Sequence, residues 1–227
     1  MKIIGMGVVG TGEANKFLKL TLDHNLPLVD KMVIWGDAPD EATEKIIFSY
    51  GDKIEYHRYP ESIWATGQWR IKESLFRYVI KHLSGESNPW VLAFDFDEIF
   101  DDRLTREKLE ELANRKATAY EFNFIQLWDD EKHMRVDGGW GDFWNVRFFK
   151  YQPEQSQEWL RKPLHCGLWP IYARRQAIMI PYIVKHYGYM RPEHRKKKVE
   201  RYDKYDPQRV YQDKEWYQSM KYEATDE

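Results

Sequence analysis

Apolar runs of strand length alternate with helix-like stretches through the first hundred residues of this 227-residue chain. Strands are predicted for "KIIGMGVV", "DKMVIWGD", "KIEYHRY" and "PWVLAF", and the stretches between them carry apolar residues at helical spacing. The run "PWVLAF" (89–94) is apolar on both faces, which is typical of a strand in the middle of a sheet covered by helices. Alternating units of this kind predict an α/β fold with a mostly parallel central sheet and right-handed crossovers.

The second half of the chain has a looser pattern. Predicted strands in "ATAYEFNFIQLW" and "FWNVRFFKY" flank a long polar loop, and a further apolar run precedes a basic helix that starts near Pro192. We expect residues 1–205 to form a single domain, made of a first half (1–104) and a mixed second half (105–205). The polar tail, residues 206–227, is expected to drape over that body or to fray.

Composition narrows the function classes. The net charge of −2 gives no reason to expect a nucleic-acid partner. No apolar run approaches the 18 residues of a membrane-spanning helix, and the N-terminus is a poor signal peptide. Because Cys166 is the single cysteine, an internal disulfide and a Cys-rich zinc site are excluded. We therefore expect a protein of the reducing cytoplasm, with no transmembrane segment.

An acidic run follows the fourth predicted strand, where "FDFDEIF" places Asp95, Asp97 and Glu98 together. An unpaired buried carboxylate costs several kcal/mol, so these acids either stand in water or hold a cation. Side chains two apart on a strand point the same way, so Asp95 and Asp97 are predicted to project together at the carboxyl end of a central strand, where open α/β sheets bind ligands. Two hard oxygen donors there predict a Mg²⁺ or Mn²⁺ site, and a solvated turn is the alternative.

A glycine motif near the N-terminus supports a different interpretation. "GMGVVG" (Gly5, Gly7, Gly10) follows a strand and satisfies G-x-G-x-x-G, the fingerprint of NAD(P)-binding oxidoreductases. That mechanism needs an acid about 20 residues further on, at the end of the second strand. The nearest such acid, Asp37, lies 27 positions after Gly10. The dinucleotide interpretation is therefore kept as an alternative only.

The segment "WVLAFDFDEIF" resembles the DxD signature of nucleotide-sugar glycosyltransferases of the GT-A fold, in the form found among family-2-like members. Further stretches resemble the same group in the same order: "GTGEANKFLKLTL", "VIWGDAPDEAT", "GQWRIKESLF", "VRFFKY", "PLHCGLW" and "KHYGYMRPEHRKKKVERY". The resemblance implies a GT-A fold, Rossmann-like, with a mostly parallel central sheet flanked by helices. It also implies a nucleotide-binding first half and a mixed acceptor-side second half.

The same resemblance implies a function and a donor site. It implies sugar transfer from a nucleoside-diphosphate sugar to a saccharide or other hydroxyl acceptor, with inversion and with Mn²⁺ or Mg²⁺. The implied metal residues are Asp97 as main ligand, Asp95 directly or through water, and His186. The implied nucleotide-binding residues are Gly10, Glu13, Asp37, Arg70 and Asp95.

Candidates for the acceptor side lie in loops of the second half. An inverting enzyme needs a carboxylate within reach of the acceptor hydroxyl. Two polar segments offer acids for this role: Asp129, Asp130 and Asp142. We favour Asp142 because it lies between Trp140 and Trp144, and aromatic faces stack on sugar rings. His165 is expected to line the same pocket, beside Cys166, which stands where the family has an acid.

Two other function classes share parts of this pattern. Haloacid-dehalogenase-like phosphatases also carry D-x-D after an apolar strand, but there the motif ends the first strand, whereas three strand–helix units precede it here. A non-enzymatic binding module would keep the fold without needing three acids at one strand end.

The basic run "HRKKKVER" (194–201) has three possible roles. It could contact lipid phosphate at a membrane surface, bind an anionic saccharide acceptor, or form a solvated helix face. Glu193 and Glu200 interrupt the positive charge, so the solvated face is favoured.

Overall fold

The computed structural model describes residues 1–212 and 214–221. Its strands are β1 Lys2–Val9, β2 Lys31–Asp37, β3 Ile54–Tyr59, β4 Pro89–Ala93, β5 Glu98–Phe100, β6 Ala119–Gln126, β7 Trp144–Lys150 and β8 Ala177–His186. Its helices are α1 Leu18–Asn25, α2 Glu41–Phe48, α3 Trp64–Leu83, α4 Arg106–Ala113, α5 Ile171–Gln176, α6 Pro192–Tyr205 and α7 Lys214–Ser219.

All eight strands belong to one sheet, in the order β3-β2-β1-β4-β7-β6-β8-β5. The first four in this order are mutually parallel. Strand β7 runs antiparallel to both β4 and β6, β8 is parallel to β6, and β5 is antiparallel to β8. The predicted α/β fold is confirmed, with a parallel first part and a mixed second part that share one sheet.

Strand β4 is buried on both faces, as its sequence predicts. Trp90 and Leu92 pack into one hydrophobic cluster, and Val91 and Ala93 pack into another on the opposite side of the sheet. All four residues are completely shielded from solvent. Full burial of each large apolar side chain contributes roughly 1.5–3 kcal/mol, so the burial of this strand stabilises the centre of the sheet. It also fixes the position of the acidic run that follows it.

The first predicted helix is divided in two. A short 3-10 turn occupies Glu13–Asn15, and α1 begins only at Leu18. Gly12 precedes the turn with φ 77°, in the left-handed region that favours glycine. The backbone N–H of Gly12 donates to the Asp40 carboxylate, which holds this loop against the start of α2. Residues 10–16 therefore form a loop at the carboxyl end of β1 instead of an uninterrupted helix.

The segment after α6 drapes over the second half, which was one of two expected outcomes for the tail. Asp206, Tyr217 and Met220 are buried, with exposed fractions of 2%, 1% and 0%. Residue 213 and residues 222–227 of the predicted tail lie outside the described residues. Within the described part of the chain, every helix is too short or too polar to cross a bilayer.

Candidate active site

The acidic run forms a tight turn between two strands. Strand β4 ends at Ala93, and the Glu98 N–H donates to the Asp95 carbonyl (3.1 Å), which closes the turn. Glu98 then pairs with His186 in the antiparallel ladder of β5 and β8. The Asp97 carbonyl accepts from the Tyr187 N–H at 2.8 Å. These backbone contacts bring the end of β8 beside the acidic turn.

Glu98 is neutralised inside the protein by Arg147 of β7. The guanidinium donates to both carboxylate oxygens, at 2.7 and 2.6 Å, and the two side chains are 2% and 4% exposed. Burial by itself lowers the pKa of Arg147, but the contact with Glu98 outweighs burial and raises it. Glu98 also accepts from the Asp95 N–H at 3.2 Å, so the ion pair supports the turn directly. Sequence reasoning missed this role, although an arginine inside the apolar "VRFFKY" strand was its signal.

Asp97 faces two groups from the end of the chain. Its Oδ2 lies 3.5 Å from His186 Nε2 and 3.9 Å from Lys198 Nζ. Burial alone would raise the pKa of Asp97, but His186 and Lys198 overcome that effect and hold the pKa well below its usual range. On its other side, His186 Nδ1 lies 2.5 Å from Gln126 Oε1, which accepts its proton. When the ring is neutral with its proton on Nδ1, the Nε2 lone pair faces the Asp97 carboxylate, and a cation between the two would replace the charge of the protonated ring.

Gly188 makes room for this cluster. A Cβ on Gly188 would lie 2.6 Å from Lys198 Nζ and 2.7 Å from His186 Nε2, and it would clash with Asp97 Oδ2 as well. Three polar side-chain ends thus converge on the space that any other residue would fill.

Asp97 and His186 would hold a Mg²⁺ or Mn²⁺ ion only if other groups complete its coordination shell. In the described part of the chain, no group of three or more His, Cys, Asp or Glu residues is placed to hold a metal. Asp97 and His186 converge on one point, whereas Asp95 Oδ2 lies 3.8 Å from Arg147 Nη2 and its side chain is 47% exposed. Mg²⁺ is commonly held by one or two protein ligands plus phosphate oxygens and water. The space between Asp97 and His186 therefore suits an ion that binds together with a phosphate-bearing ligand.

A large cleft of ≈ 680 Å³ opens beside the turn, at the carboxyl ends of the parallel strands. Gly10, Glu13, Asp37 and Asp95, all predicted to bind nucleotide, line this cleft. It is also lined by four cationic side chains: Lys16, Lys72, Lys198 and Arg201. These cations lie among four carboxylates of the same cleft, those of Glu13, Asp37, Asp95 and Asp97, and they are the groups that suit a phosphate-bearing ligand.

Arg70, the remaining predicted nucleotide-binding residue, lies elsewhere. It is exposed and stacks over the Trp69 ring at 5.2 Å, whereas Gln68, Ile71 and Lys72 line the large cleft. Successive helical residues are 100° apart, so positions 70 and 72 of α3 face opposite directions. Burial lowers the pKa of Lys72, whose ammonium group donates to the Cys166 carbonyl. Lys72 is therefore the cation that α3 brings to the cleft.

Asp37 uses much of its hydrogen-bonding capacity on the chain itself. Its carboxylate accepts from Ser62 Oγ (2.5 Å), the Ile63 N–H (3.1 Å) and the Trp64 N–H (3.2 Å). It thereby binds the start of α3 to the end of β2. Asp37 shapes the wall of the large cleft by fixing that loop.

The glycine motif serves packing in the strand. Gly5 and Gly7 lie within β1, and a Cβ on Gly7 would lie 2.7 Å from the Phe94 carbonyl oxygen. In a dinucleotide-binding turn these glycines follow the strand, and the third one opens a helix. Here the helix opens only at Leu18, eight positions after Gly10. This geometry does not fit the oxidoreductase alternative.

A smaller cleft of ≈ 390 Å³ lies on the second-half side of the turn. Its wall includes Asn145 and Arg147 of β7 together with Tyr211 and Trp216 of the C-terminal segment. The two clefts share five lining residues: Asp95, His165, Cys166, His186 and Tyr189. The clefts therefore meet at the acidic turn.

Trp140, the first of the predicted stacking residues, lines the smaller cleft but is 4% exposed. Its ring is stacked on Trp216, with centroids 5.0 Å apart and planes at 9°, so the C-terminal segment covers the face predicted to bind sugar. Trp144 and Asp142 lie outside both clefts, where Trp144 Nε1 donates to Asp142 Oδ1 at 2.7 Å. Of these three, only Trp140 reaches the site.

The two earlier loop acids have partners away from the clefts. Asp129 accepts from Arg195 Nη2 at 2.6 Å, and Asp130 pairs with the exposed His133 at 2.9 Å. Neither acid lines either cleft. His165, by contrast, lies where the two clefts meet.

The basic helix α6 directs part of its charge inward. Arg195 is 3% exposed and lies over the Trp128 ring at 4.3 Å, and Lys198 and Arg201 reach the large cleft. Lys196 and Lys197 are exposed. The favoured interpretation, a solvated helix face, holds for the side with Lys196 and Lys197 but not for the opposite side, because positions 195, 198 and 202 share the face that packs on the body.

Comparison with known proteins gives a likeness of fold. No protein-family model and no curated protein sequence matches this chain. Among solved structures, it is similar to S. aureus TarS with a TM-score of 0.53 and 10% identity over 91% of this chain and 40% of the TarS chain. TarS 1–349 in complex with UDP gives a TM-score of 0.51 and 11% identity over 97% of this chain and 70% of that one.

The fold is thus GT-A-like, as predicted, and at these identities the likeness shows the fold alone. This chain spans less than half of the longer TarS chain, at 40% of its length. The acidic turn follows the fourth strand of this fold, whereas the phosphatase alternative would place it after the first.

Proposed function

We propose that this protein is a glycosyltransferase that moves a sugar from a nucleoside-diphosphate sugar to an acceptor hydroxyl. The observation that carries the proposal is the position of the acidic turn, at the junction of two separate clefts. A transferase needs to hold two substrates side by side, and a simple binding module does not. The UDP complex of the structurally similar TarS 1–349 is consistent with a nucleotide donor.

The large cleft takes the donor in this proposal. Lys16, Lys72, Lys198 and Arg201 supply positive charge for the diphosphate, and Gly10 leaves space at the end of β1, since the nearest atom to its Cβ position is 3.7 Å away. A diphosphate bound here would have its charge opposed by these cations, which already lie in the cleft beside the carboxylates of Glu13, Asp37, Asp95 and Asp97. Such preorganised charge is a major source of transition-state stabilisation.

Asp97 and His186 would hold a Mn²⁺ or Mg²⁺ ion against the donor. The ion would offset the negative charge that develops on the leaving diphosphate, an effect worth several kcal/mol. Lys198, 3.9 Å from the same Asp97 oxygen, adds an ammonium group to that task. Asp95, half exposed at the junction, is available to accept hydrogen bonds from the donor.

The smaller cleft takes the acceptor. Because the two clefts share only the residues at their junction, an acceptor hydroxyl can reach the donor sugar directly, without an intermediate on the protein. We propose that the acceptor attacks from the face opposite the leaving diphosphate, and attack from that face inverts the anomeric centre.

A thermal-shift panel of UDP-, GDP-, dTDP- and CMP-sugars, with and without Mn²⁺, tests the proposal. We expect one nucleotide sugar to raise the melting temperature, and to raise it more when Mn²⁺ is present. NAD(H) belongs in the same panel, because stabilisation by NAD(H) alone would favour the oxidoreductase alternative. If chelator leaves nucleotide-sugar binding unchanged, the metal assignment is wrong while the transferase assignment stands.

A further inference from the structure

We propose that His165 is the base that removes the proton from the acceptor hydroxyl, and that the C-terminal segment fixes its tautomer through Tyr217 and Asp206. This inference rests on the proposed function and deepens it. It assigns a catalytic role to a ring that the sequence placed only in the pocket wall.

A chain of three hydrogen-bonded side chains sets the protons of this cluster. The Tyr217 hydroxyl donates to Asp206 Oδ2 at 3.0 Å, and its oxygen lies 2.7 Å from His165 Nε2. Asp206 is 2% exposed and also accepts from the Val210 N–H (2.8 Å) and the Tyr211 N–H (3.2 Å). Because the Tyr217 proton is directed to Asp206, the Tyr217 oxygen accepts the proton of Nε2. The lone pair of the neutral imidazole is then on Nδ1.

His165 itself lies at the junction of the two clefts. His165 lines both of them, together with Asp95 and His186. Nδ1 makes no hydrogen bond to the part of the chain that the structure describes, whereas Nε2 is hydrogen-bonded to the Tyr217 hydroxyl. Nδ1 is therefore the ring nitrogen left to meet a substrate hydroxyl.

The backbone at His165 is held in an uncommon conformation. Its φ of 57° lies in the left-handed region, which is unfavourable for a residue other than glycine. The adjacent Cys166 N–H donates to the buried Gln68 Oε1 at 3.2 Å, which ties this loop to α3. Backbone strain retained in a cleft-lining loop is the kind of feature that accompanies functional positioning.

The surroundings keep the ring neutral before the reaction. The titratable groups around it are Lys72 of α3, Lys162 and Cys166 of the loop, Arg201 and Tyr202 of α6, and Asp206 and Tyr217 of the C-terminal segment. Burial, first of all, lowers the pKa of His165 to about 4, against a raising effect of Asp206, while three nearby cations lower it further. A donor diphosphate beside Lys72 and Arg201 would offset their charge, so donor binding makes Nδ1 a stronger base.

In the proposed step, the two substrates and His165 account for every bond formed or broken and for the proton that moves. The acceptor oxygen forms a bond to the anomeric carbon, and the bond from that carbon to the diphosphate oxygen breaks with its electron pair leaving on the diphosphate. The hydroxyl proton moves to His165 Nδ1. The resulting imidazolium keeps its Nε2–H bond to Tyr217 and releases the new proton to solvent when the products leave.

The central experiment compares His165→Gln with wild-type protein. Release of nucleoside diphosphate is measured with the panel donors and a set of methyl glycosides as acceptors. We expect kcat to fall by at least ~10²-fold, the usual contribution of general base catalysis, with donor-induced stabilisation unchanged within a few-fold. His133→Gln is the matched control, because His133 is exposed and pairs with Asp130 outside both clefts, and it should turn over normally.

Three further readouts separate a chemical role from a structural one. Added imidazole should restore part of the turnover of His165→Ala without changing its melting temperature. The kcat of the wild-type protein should fall as the pH is lowered and Nδ1 becomes protonated. The residual kcat of His165→Gln should not show this decrease at low pH. Tyr217→Phe should lower kcat by on the order of 10-fold at unchanged donor stabilisation, because the ring loses its tautomer preference.

Different results of the diphosphate-release assay would reject His165 as the base and reject the glycosyltransferase activity itself. Normal turnover of His165→Gln with the wild-type pH profile overturns the inference, and an inactive Asp142→Asn in the same assay would move the base to the outer loop. Absence of nucleoside diphosphate release from every donor by wild-type protein overturns the proposed function, and the inference with it.

Discussion

Replacing Arg147 by Met should cost this protein about 3–5 kcal/mol of folding free energy, because it leaves the Glu98 carboxylate buried without a counter-ion. The wild-type pair has two short bonds, 2.7 and 2.6 Å, and both side chains are nearly inaccessible. For a chain of this size, 1 kcal/mol corresponds to a shift of roughly 2–4 °C in melting temperature. The expected loss is therefore on the order of 6–20 °C.

Urea denaturation at several pH values measures this effect. Burial raises the pKa of Glu98 against the opposing effect of Arg147; in the variant, burial and the Asp95 charge raise it and only the smaller effect of His186 opposes them. A carboxyl group with a raised folded-state pKa contributes most stability below its unfolded pKa, near 4.3, and loses it as pH rises through the folded value. The deficit of Arg147→Met should thus be larger at pH 7.5 than at pH 5. Glu98→Gln combined with Arg147→Met should recover much of the loss, since no buried charge is left.

A matched control uses an exposed ion pair. Lys19 and Asp23 are 68% and 50% exposed, so Lys19→Met should change stability by less than about 0.5 kcal/mol. If Arg147→Met costs no more than this control, or its cost is the same at both pH values, then Glu98 does not depend on the guanidinium and the electrostatic account of the turn is refuted.

Three further predictions address the large cleft. Asp97→Ala should keep the fold and lower transfer activity by at least ~10²-fold, since it removes the proposed ion ligand; an equally active variant in a diphosphate-release assay would move that role to another residue. Gly188→Ala should abolish Mn²⁺-dependent stabilisation by nucleotide sugar, because its Cβ would lie 2.6 Å from Lys198 Nζ; binding at wild-type strength in a thermal-shift titration would contradict this. Lys72→Met should weaken donor binding by roughly 10-fold or more while Arg70→Met leaves it within two-fold, because only Lys72 faces the cleft, and the reverse order by calorimetry would argue against the assigned face.

The parallel half of the fold could be predicted from the sequence because its signals are local. The two-sided apolar pattern of residues 89–94 by itself indicates a central strand, and the structure confirms that β4 is buried on both faces. The place of the acidic turn follows from that strand, since the chain must leave the sheet at its carboxyl end. Periodicity of this kind depends on neighbours a few residues away and so survives without tertiary information.

The faces of helices were predicted less well, and the reason is geometric. Arg70 and Lys72 are two residues apart, and which of them reaches the cleft depends on how α3 is rotated on the sheet. The inward cations of α6 raise the same question, because a run of basic residues looks alike on every side. The rotation of α3 and α6 about their axes cannot be predicted from the local pattern of charges.

The partners of the three acids show where the sequence ends and the tertiary structure begins. The sequence alone required that Asp95, Asp97 and Glu98 be hydrated or neutralised, because the cost of an unpaired buried charge does not depend on the fold. Only the fold selects the neutralising groups: Arg147 of β7 for Glu98, and His186 and Lys198 for Asp97. Likewise, the tail was polar by composition, yet Asp206 and Tyr217 are buried against His165. Pairing across 49 to more than 100 residues is decided by sheet order and helix docking, which no local pattern encodes.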